Sequence, residues 1–204
     1  MQETGGREAG ADDAGMHGEA PGVDALTEAL RAARARVDSL EKSERLQQAL
    51  YEIADLAGSD LEMADMLGRI HEVVGGLMYA ENFYIVLFDD ARDSFRFLYF
   101  ADRIDPFEAD PAHEILGSEM PNSLTRALLH HGEPVRGSSD EVRLRLGVGR
   151  DDSHGPDSQD WLGVPMRRDD RVCGAIVVQS YDRPNSYGDE ERALLAFVAQ
   201  HILT

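Results

Sequence analysis

The fold is decided by two apolar runs joined by a short charged turn, residues 161–181, WLGVPMRRDDRVCGAIVVQSY. Residues 161–167 and residues 172–181 are rich in aromatic and β-branched side chains, as β-strands are. The four residues between them, 168–171, are Arg-Asp-Asp-Arg, a polar connection of the kind that joins two antiparallel strands. The segment therefore predicts a β-hairpin.

A second hairpin is predicted about eighty residues upstream. Residues 82–88 and 94–100 have the same texture and are separated by the polar residues 89–93. Phe83 and Ile85 alternate with Tyr84 and Val86, so both faces of the first strand are apolar. Because an apolar face must be covered, we expect layers of structure on both sides of the sheet.

A long helix precedes these strands. Residues 24–57 contain no Gly or Pro, and their first apolar residues follow a four-three spacing: Leu26, Leu30, Ala33, Val37 and Leu40. The heptad would next place Glu44 and Gln47 in the seam, so its register breaks near Ser43. We predict one helix in two segments, a coiled-coil-like signalling segment at 24–45 and a segment that packs on the domain. A solvated amphipathic helix that touches only its own domain is the alternative.

Two further helices are predicted. Ser59 and Glu62 have the spacing of a capping box, and the apolar residues up to Leu77 then fall on one face of a helix. Residues 189–204 form an amphipathic helix with three acids in its first turn, where the helix dipole favours them. We expect this last helix to continue past Thr204, because no residue that ends a helix follows Ile202.

An irregular insert separates the two hairpins. It contains a short helix at 123–130 that ends at Gly132, a short strand at 134–136, and a helical turn at 141–146 within the loop 137–160. His130 and His131 look like metal ligands. Adjacent helical residues point about 100° apart, however, and a histidine at a helix end interacts favourably with the dipole, so we expect them to terminate the helix.

Composition excludes several classes of protein. Lys+Arg 20 against Asp+Glu 39 gives a net charge of −19, which repels nucleic acid and anionic lipid and disfavours both as partners. The single Cys173 forms no intramolecular disulfide, which suits the cytoplasm, and no signal peptide or membrane span is predicted.

The chain divides into three predicted parts. Residues 1–22 hold six Gly and four Ala without Leu, Ile or Val, so we predict a disordered tail at 1–23. The helix at 24–45 and a domain at 46–204 follow.

The order of elements predicts an α+β fold, with an antiparallel sheet that carries the terminal helices on one face and a helix and loop insert on the other. Four blocks then resemble the GAF domain family, namely residues 80–85, 97–102, 161–181 and 189–202. The blocks are similar to a bacterial subgroup that often precedes GGDEF, EAL or histidine-kinase output domains. The resemblance covers roughly residues 46–204.

The resemblance implies a regulatory sensory domain of a cyclic-di-GMP or histidine-kinase type signalling protein. It would bind a small ligand, form a homodimer through its terminal helices, and act on an output domain after Thr204. The resemblance implies no enzyme. The GAF domains that reduce methionine sulfoxide depend on several cysteines, whereas this chain has only Cys173. Two alternatives stay open: a ligand-free dimerisation scaffold, and a redox or haem sensor that uses Cys173 or a histidine of the insert, His113 or His154.

The predicted ligand site lies between the sheet and the insert. Tyr99, Phe100 and Asp102 end the second strand, and Trp161 begins the second hairpin. Aromatic walls with one carboxylate suit a small ligand that carries an amine or a hydroxyl group. Equally, the aromatics could be core residues and Asp102 a turn residue, and a shift of one residue along the strand would exchange its faces. The sequence names no cofactor or metal.

Overall fold

The computed structural model describes residues 22–151 and 155–202. The chain divides into two units, Met1–Lys42 and Ser43–Thr204. Eleven elements are found within the described residues: α1 Val23–Ala57, α2 Met63–Gly75, β1 Asn82–Asp89, β2 Ser94–Ala101, β3 Ile115–Leu116, α3 Leu124–His131, β4 Val135–Gly137, α4 Ser139–Leu146, β5 Asp160–Arg168, β6 Arg171–Ser180 and α5 Asp189–His201. The predicted tail lies almost wholly outside the described residues.

The six strands form one antiparallel sheet in the order β3-β2-β1-β6-β5-β4. Both predicted hairpins are present, as β1–β2 and β5–β6, and their inner strands β1 and β6 pair at the centre of the sheet. The predicted α+β class is confirmed. The two-residue strand β3 was not predicted, because a strand that short has no periodicity of its own.

Helices cover one face of the sheet. The core on this face joins α2, α5 and the last turns of α1 to strand residues that include Phe83, Ile85, Leu162 and Ile176. The helical residues have the spacing of one helix face, for example Leu67, Ile70 and Val74 in α2, and all of these are fully buried. Burial of this apolar surface is the main force that holds the helices to the sheet.

The insert covers the other face. Its core contains Tyr84, Phe97 and Trp161 from the strands together with Leu128 from α3 and Val142 from α4. Both short helices are capped at each end: Ser123 and Ser138 accept hydrogen bonds from the first turns, and Gly132 and Gly147 adopt the left-handed conformation after the last turns. Local sequence therefore sets the limits of α3 and α4, while tertiary packing holds them against the sheet.

A bulge changes the phase of β2. Ile85 of β1 stands opposite Tyr99, whereas the next residue, Val86, stands opposite Phe97, so Leu98 is the extra residue. As a result Leu98 and Tyr99 both pack with the helical core, while Phe97 and Phe100 both pack with the insert core. The bulge thus puts two phenylalanines of one strand on the insert face, three residues apart.

Helix boundaries agree with the sequence at some ends and differ at others: α4 begins at Ser139 and α5 ends at His201. Helix α1 ends at Ala57, where the N–H of Gly58 donates to the carbonyl of Ala54, as Gly58 predicts. The capping box predicted at Ser59 and Glu62 is wrong: the Ser59 hydroxyl donates to the Leu56 carbonyl, and α2 begins only at Met63 with no side-chain cap. The Ser59 hydroxyl thus bonds to the last turn of α1. It caps the end of that helix and does not cap the start of α2.

The first unit contributes the N-terminal part of α1. Every residue from Val23 to Lys42 is exposed, including the apolar residues of the predicted seam. Burial in the second unit begins further along, at Ala49, Ile53 and Leu56. No helix in the described ranges has the length and apolarity needed to cross a membrane.

We predict that Gly174→Ala destabilises the domain by about 1–3 kcal/mol, the cost of overpacking a close contact. A methyl group at this position in β6 would overlap the backbone carbonyl of Val86 in β1 and the Cε methyl of Met166. Because a backbone carbonyl in a sheet cannot move without breaking ladder bonds, the strain cannot relax locally.

The matched control is Gly75→Ala at the last position of α2, where a methyl group meets nothing within 4 Å. We expect this control to be neutral or stabilising, since alanine favours helix. Urea unfolding monitored by circular dichroism measures both variants. Equal stabilities for the two variants would contradict the close approach of β1 and β6.

Candidate ligand cavity

A cavity of about 290 Å³ lies between the insert and the sheet. The sheet contributes Tyr84 from β1, Phe97 and Phe100 from β2 and Trp161 from β5. The insert contributes Phe107, the N-terminal residues of α3, and Ser139 and Arg143 of α4. This volume is near the lower end of the range for small-molecule sites.

The walls contain five aromatic rings. Phe97, Phe100 and Phe107 form a mutual cluster with ring centroids 4.9–5.6 Å apart, arranged edge-to-face or tilted. Tyr84 stacks on Phe100 at 5.6 Å, and Trp161 is almost fully buried. Phe107 is 40% exposed, so the cluster runs from the closed end of the cavity towards solvent.

The polar atoms of the inner wall bond to one another. The Tyr84 hydroxyl lies 2.9 Å from Oγ1 of Thr125, the first buried residue of α3. Burial raises the pKa of Tyr84 to about 12, against smaller opposite effects of its hydrogen bonds to Thr125 and Trp161. The Ser139 and Ser158 hydroxyls form a second buried pair at 3.0 Å. The first pair joins α3 to the sheet, and the second joins α4 to the loop before β5.

Arg143 is a buried cation of the cavity wall. The residue is only 6% exposed, and its guanidinium forms an ion pair with Asp157 at 2.7 Å and a longer one with Asp140 at 3.7 Å. A buried charge is tolerated only when paired. Both carboxylates are exposed and stand outside the cavity lining. Arg143 therefore ties α4 to the loop that follows it.

Asp105 and Gln179 bring the remaining polar atoms to the wall. Asp105 is half-buried and its Oδ1 accepts a hydrogen bond from the Phe107 backbone at 3.0 Å. The Gln179 amide nitrogen donates to Oδ2 of Asp102 at 2.8 Å and to the Tyr181 hydroxyl at 2.6 Å. Tyr181 also donates to Asp102 at 2.7 Å, and burial together with this carboxylate raises the pKa of Tyr181.

Of the four residues predicted from the sequence, Phe100 and Trp161 line the cavity. Asp102 stands behind Gln179 and turns the chain: its Oδ1 accepts the backbone N–H groups of Ile104 and Asp105 at 2.8 and 2.9 Å. It thus has the turn role that the sequence left open, with one hydrogen bond to a cavity residue.

Tyr99 lies on the other face of the sheet, because the bulge at Leu98 exchanges the phase of the strand. Its hydroxyl lies 2.9 Å from Nδ1 of His71 in α2, whose Nε2 lies 2.6 Å from the Ala80 carbonyl. Since a carbonyl only accepts, Nε2 carries the hydrogen and Nδ1 accepts from Tyr99 in the neutral ring. His71 also stacks on Phe83 at 4.7 Å. This group belongs to the helical core and does not reach the cavity.

The insert is anchored at the β1–β2 turn by Asp93. Its carboxylate accepts from the Arg126 guanidinium at 2.7 Å and lies 2.9 Å from Nε2 of His130. The Asp93 carbonyl accepts from the Gly117 backbone at 2.7 Å, and a side chain at Gly117 would overlap both partners. His130 thus lies in the last turn of α3, which ends at His131, and its side chain contacts the hairpin instead of the last carbonyls of the helix.

Metal and redox chemistry find little support among these residues. Within residues 22–151 and 155–202, no three His, Cys, Asp or Glu side chains are grouped as metal ligands. Cys173 lies outside the cavity lining, and burial raises the pKa of its thiol, which disfavours the reactive thiolate. His113 is exposed and stands apart from the cavity lining, and His154 lies outside the described residues.

Sequence reasoning missed Asp105, Arg143 and Gln179 as cavity residues. Arg143 falls in a short helix with no apolar stripe, so the neighbouring residues in the sequence do not indicate that it is buried. Gln179 interrupts an apolar strand, which is a usable signal for a polar group that faces a cavity. Asp105 could be identified only from the path of the loop.

The architecture agrees with known proteins. A GAF domain family model matches residues 60–203. The chain belongs to the GAF domain family. GAF domains are in general regulatory sensor domains of signalling proteins. A search among curated proteins found no significant match.

Solved GAF structures share the fold at low sequence identity. The GAF domain of phosphoenolpyruvate-protein phosphotransferase from Acinetobacter is 18% identical, with a TM-score of 0.59 over 76% of this chain and 89% of that one. Free methionine-R-sulfoxide reductase from Neisseria meningitidis, in complex with its substrate, is 14% identical, with a TM-score of 0.56 over 77% and 85%. Residues 122 to 287 of a methyl-accepting chemotaxis protein are 14% identical, with a TM-score of 0.57 over 74% and 92%.

We predict that Asp93→Asn lowers the free energy of unfolding near pH 6 by about 1 kcal/mol or less, since the carboxylate is partly exposed and screened. The hydrogen bond from Arg126, followed by that from His130, holds the pKa of Asp93 below its usual value. A lowered carboxyl pKa stabilises the fold above the unfolded-state value near 4 and loses this effect as pH falls through the folded-state value. The difference between the variant and the parent should therefore shrink below pH 4.

Asn keeps the left-handed backbone that Asp93 adopts, with φ of 45°. The control is Asp90→Asn in the same turn, because the Asp90 side chain makes no hydrogen bond or ion pair with the described residues. Urea titrations at several pH values measure both. A constant deficit of Asp93→Asn at every pH would contradict the ion-pair anchor.

Proposed function

We propose that this GAF domain is the sensor of a larger cytoplasmic signalling protein of the cyclic-di-GMP or histidine-kinase type. A small organic ligand binds in the cavity between sheet and insert, and the terminal helices carry the signal to an output domain that follows Thr204. The domain itself has no catalytic activity. The aromatic cavity carries this proposal, because it combines an apolar interior with polar groups placed at its wall.

Two further observations support a ligand-binding role. The similar reductase from Neisseria meningitidis, which shares the fold, was solved in complex with its substrate. In the present chain, cavity residues alternate along the strands with residues of the helical core: Tyr84 stands between Phe83 and Ile85, and Trp161 precedes Leu162. A ligand that moves a strand therefore acts on the helix packing of the opposite face. This is a physical route from the cavity to α2 and α5.

The seam in the first unit supports a homodimer. Leu26 and Leu40 occupy d positions and Leu30 and Val37 occupy a positions, and all four are 52–62% exposed in the single chain. A contiguous exposed apolar stripe marks an interaction surface, which a second helix would cover. In a parallel pair, Arg36 at g stands next to Glu41 at e of the partner subunit, an attractive contact. We therefore propose a parallel homodimer.

We predict that a ligand found by thermal-shift screening of metabolites raises the melting temperature of the parent domain by mass action. Phe100→Ala should weaken its binding at least tenfold, because Phe100 contributes an aromatic wall of the cavity. Trp161 is the single tryptophan of the chain and lines the cavity, so its fluorescence reports the titration.

The matched control is Tyr99→Phe, the neighbouring residue on the opposite face. This variant loses the hydrogen bond to His71 and should lose some stability, with ligand affinity unchanged. Equal losses of affinity in the two variants would contradict binding in this cavity. No ligand across broad libraries would favour a scaffold without a ligand.

We predict that Val37→Asp shifts sedimentation from dimer towards monomer, because it puts a charge into the apolar seam. Arg36→Glu should weaken the dimer as well, and the double variant R36E/E41R should restore it, since the swap recreates the pair in a parallel dimer. Leu144→Asp is the control, an apolar residue of α4 that is 86% exposed and lies outside the seam. A parent chain that sediments as a monomer would exclude the helix dimer.

A further inference from the structure

We propose that the ligand of this cavity is a small organic cation, an ammonium group on an apolar or aromatic body, held by the aromatic rings and by Asp105. The inference rests on the proposed function, since it names the chemical class of the ligand for the same cavity. It follows from the charges at the wall, the atoms left for a ligand to contact, and the size of the space.

The aromatic rings of the cavity wall favour a positively charged ligand. An aromatic ring carries negative potential on its faces, and a cation within about 6 Å of a ring centroid is attracted to it. Five rings line one cavity of about 290 Å³, so a group inside it lies close to several of them. Tyr84 and Trp161 form the closed end, whereas Phe107 is exposed at the other end. A bound cation would exchange its water shell for these ring faces.

Asp105 has a carboxylate oxygen open to a ligand. Its Oδ1 accepts the Phe107 backbone N–H, whereas no described residue donates a hydrogen bond to Oδ2. Oδ2 would lie only 3.3 Å from a Cβ atom placed on Gly155, another residue of the wall. No other described residue, apart from the chain neighbours of Gly155, comes within 4 Å of that position, so the described part of the wall leaves space beside this oxygen. An ammonium group there would form a charge-assisted hydrogen bond.

Gln179 presents a second acceptor. Its amide nitrogen donates to the Asp102 carboxylate, which only accepts, and this fixes which end of the amide is nitrogen. The Oε1 atom has no hydrogen-bond donor among the described residues. Asp105 and Gln179 therefore both present acceptors at the wall, as a ligand with N–H groups requires.

The cation of the wall does not call for an anionic ligand. Arg143 pairs with Asp157 at 2.7 Å and with Asp140 at 3.7 Å, and both carboxylates come from outside the cavity lining. Its charge is thus balanced by these carboxylates, and Asp105 adds a negative charge to the same cavity wall. The net charge of −19 on the whole chain also attracts cations and repels anions.

Three ligands of similar shape test the charge directly: phenethylammonium, 2-phenylethanol and 3-phenylpropanoate. Each places one group on the same phenylethyl body, positive, neutral or negative at pH 7. Titration calorimetry of the full chain should give at least tenfold tighter binding of phenethylammonium than of either of the other two. This preference should fall as salt is raised, because the charge of Asp105 is partly exposed to solvent.

Asp105→Asn keeps the acceptor for the Phe107 N–H and removes the charge. It should weaken phenethylammonium at least fivefold and leave 2-phenylethanol unchanged. The control is Asp110→Asn, since Asp110 likewise accepts the backbone N–H two residues on, at 2.9 Å, and lies outside the cavity lining. This control should change neither ligand.

Several outcomes overturn the proposal: tighter binding of 3-phenylpropanoate, equal binding of all three, or an unchanged preference in Asp105→Asn. If none of the three binds while another metabolite class changes Trp161 fluorescence, the cation is wrong and the sensor function stands. If no small molecule binds at all, the sensor function falls as well.

Discussion

The central strands of the sheet carry apolar side chains on both faces, and each face must therefore be covered. In β1 the residues Phe83 and Ile85 enter the helical core while Tyr84 and Val86 enter the insert core, and every one of them is buried. One cover consists of long helices with regular apolar faces. The other consists of short capped helices and loops, which pack less regularly and leave a cavity. The position of the cavity thus follows from which layer covers which face.

The strands and the long helices could be predicted from the sequence because their burial is periodic. Alternating apolar residues define β1, and the three- and four-residue spacing defines α2 and α5. The bulge at Leu98 could not be predicted, since it depends on how β2 pairs with β1 and leaves no mark in the composition of the strand. That single extra residue moved Tyr99 to the helical face and kept Phe100 in the cavity.

The polar part of the site depends on long-range contacts. Arg143 is buried because Asp157, fourteen residues later in the chain, comes back to pair with it. Asp102 was predicted as a ligand contact, but its two oxygens serve a turn and the side chains of Gln179 and Tyr181. Such roles are set by tertiary structure, so residue type and spacing indicate them only weakly. The sequence predicted two aromatic residues of the cavity wall, Phe100 and Trp161, but neither of its charged residues, Asp105 and Arg143.

Cavity residues and residues of the helical core lie on the same strands in this domain, and that proximity is the basis for the proposed sensor. A crystal structure of the protein with the ligand identified by screening is the most direct measurement of this account. The account requires ligand density between Phe100 and Trp161, within reach of Asp105. Density on the helical face beside His71 and Tyr99, with the cavity unchanged, would contradict it.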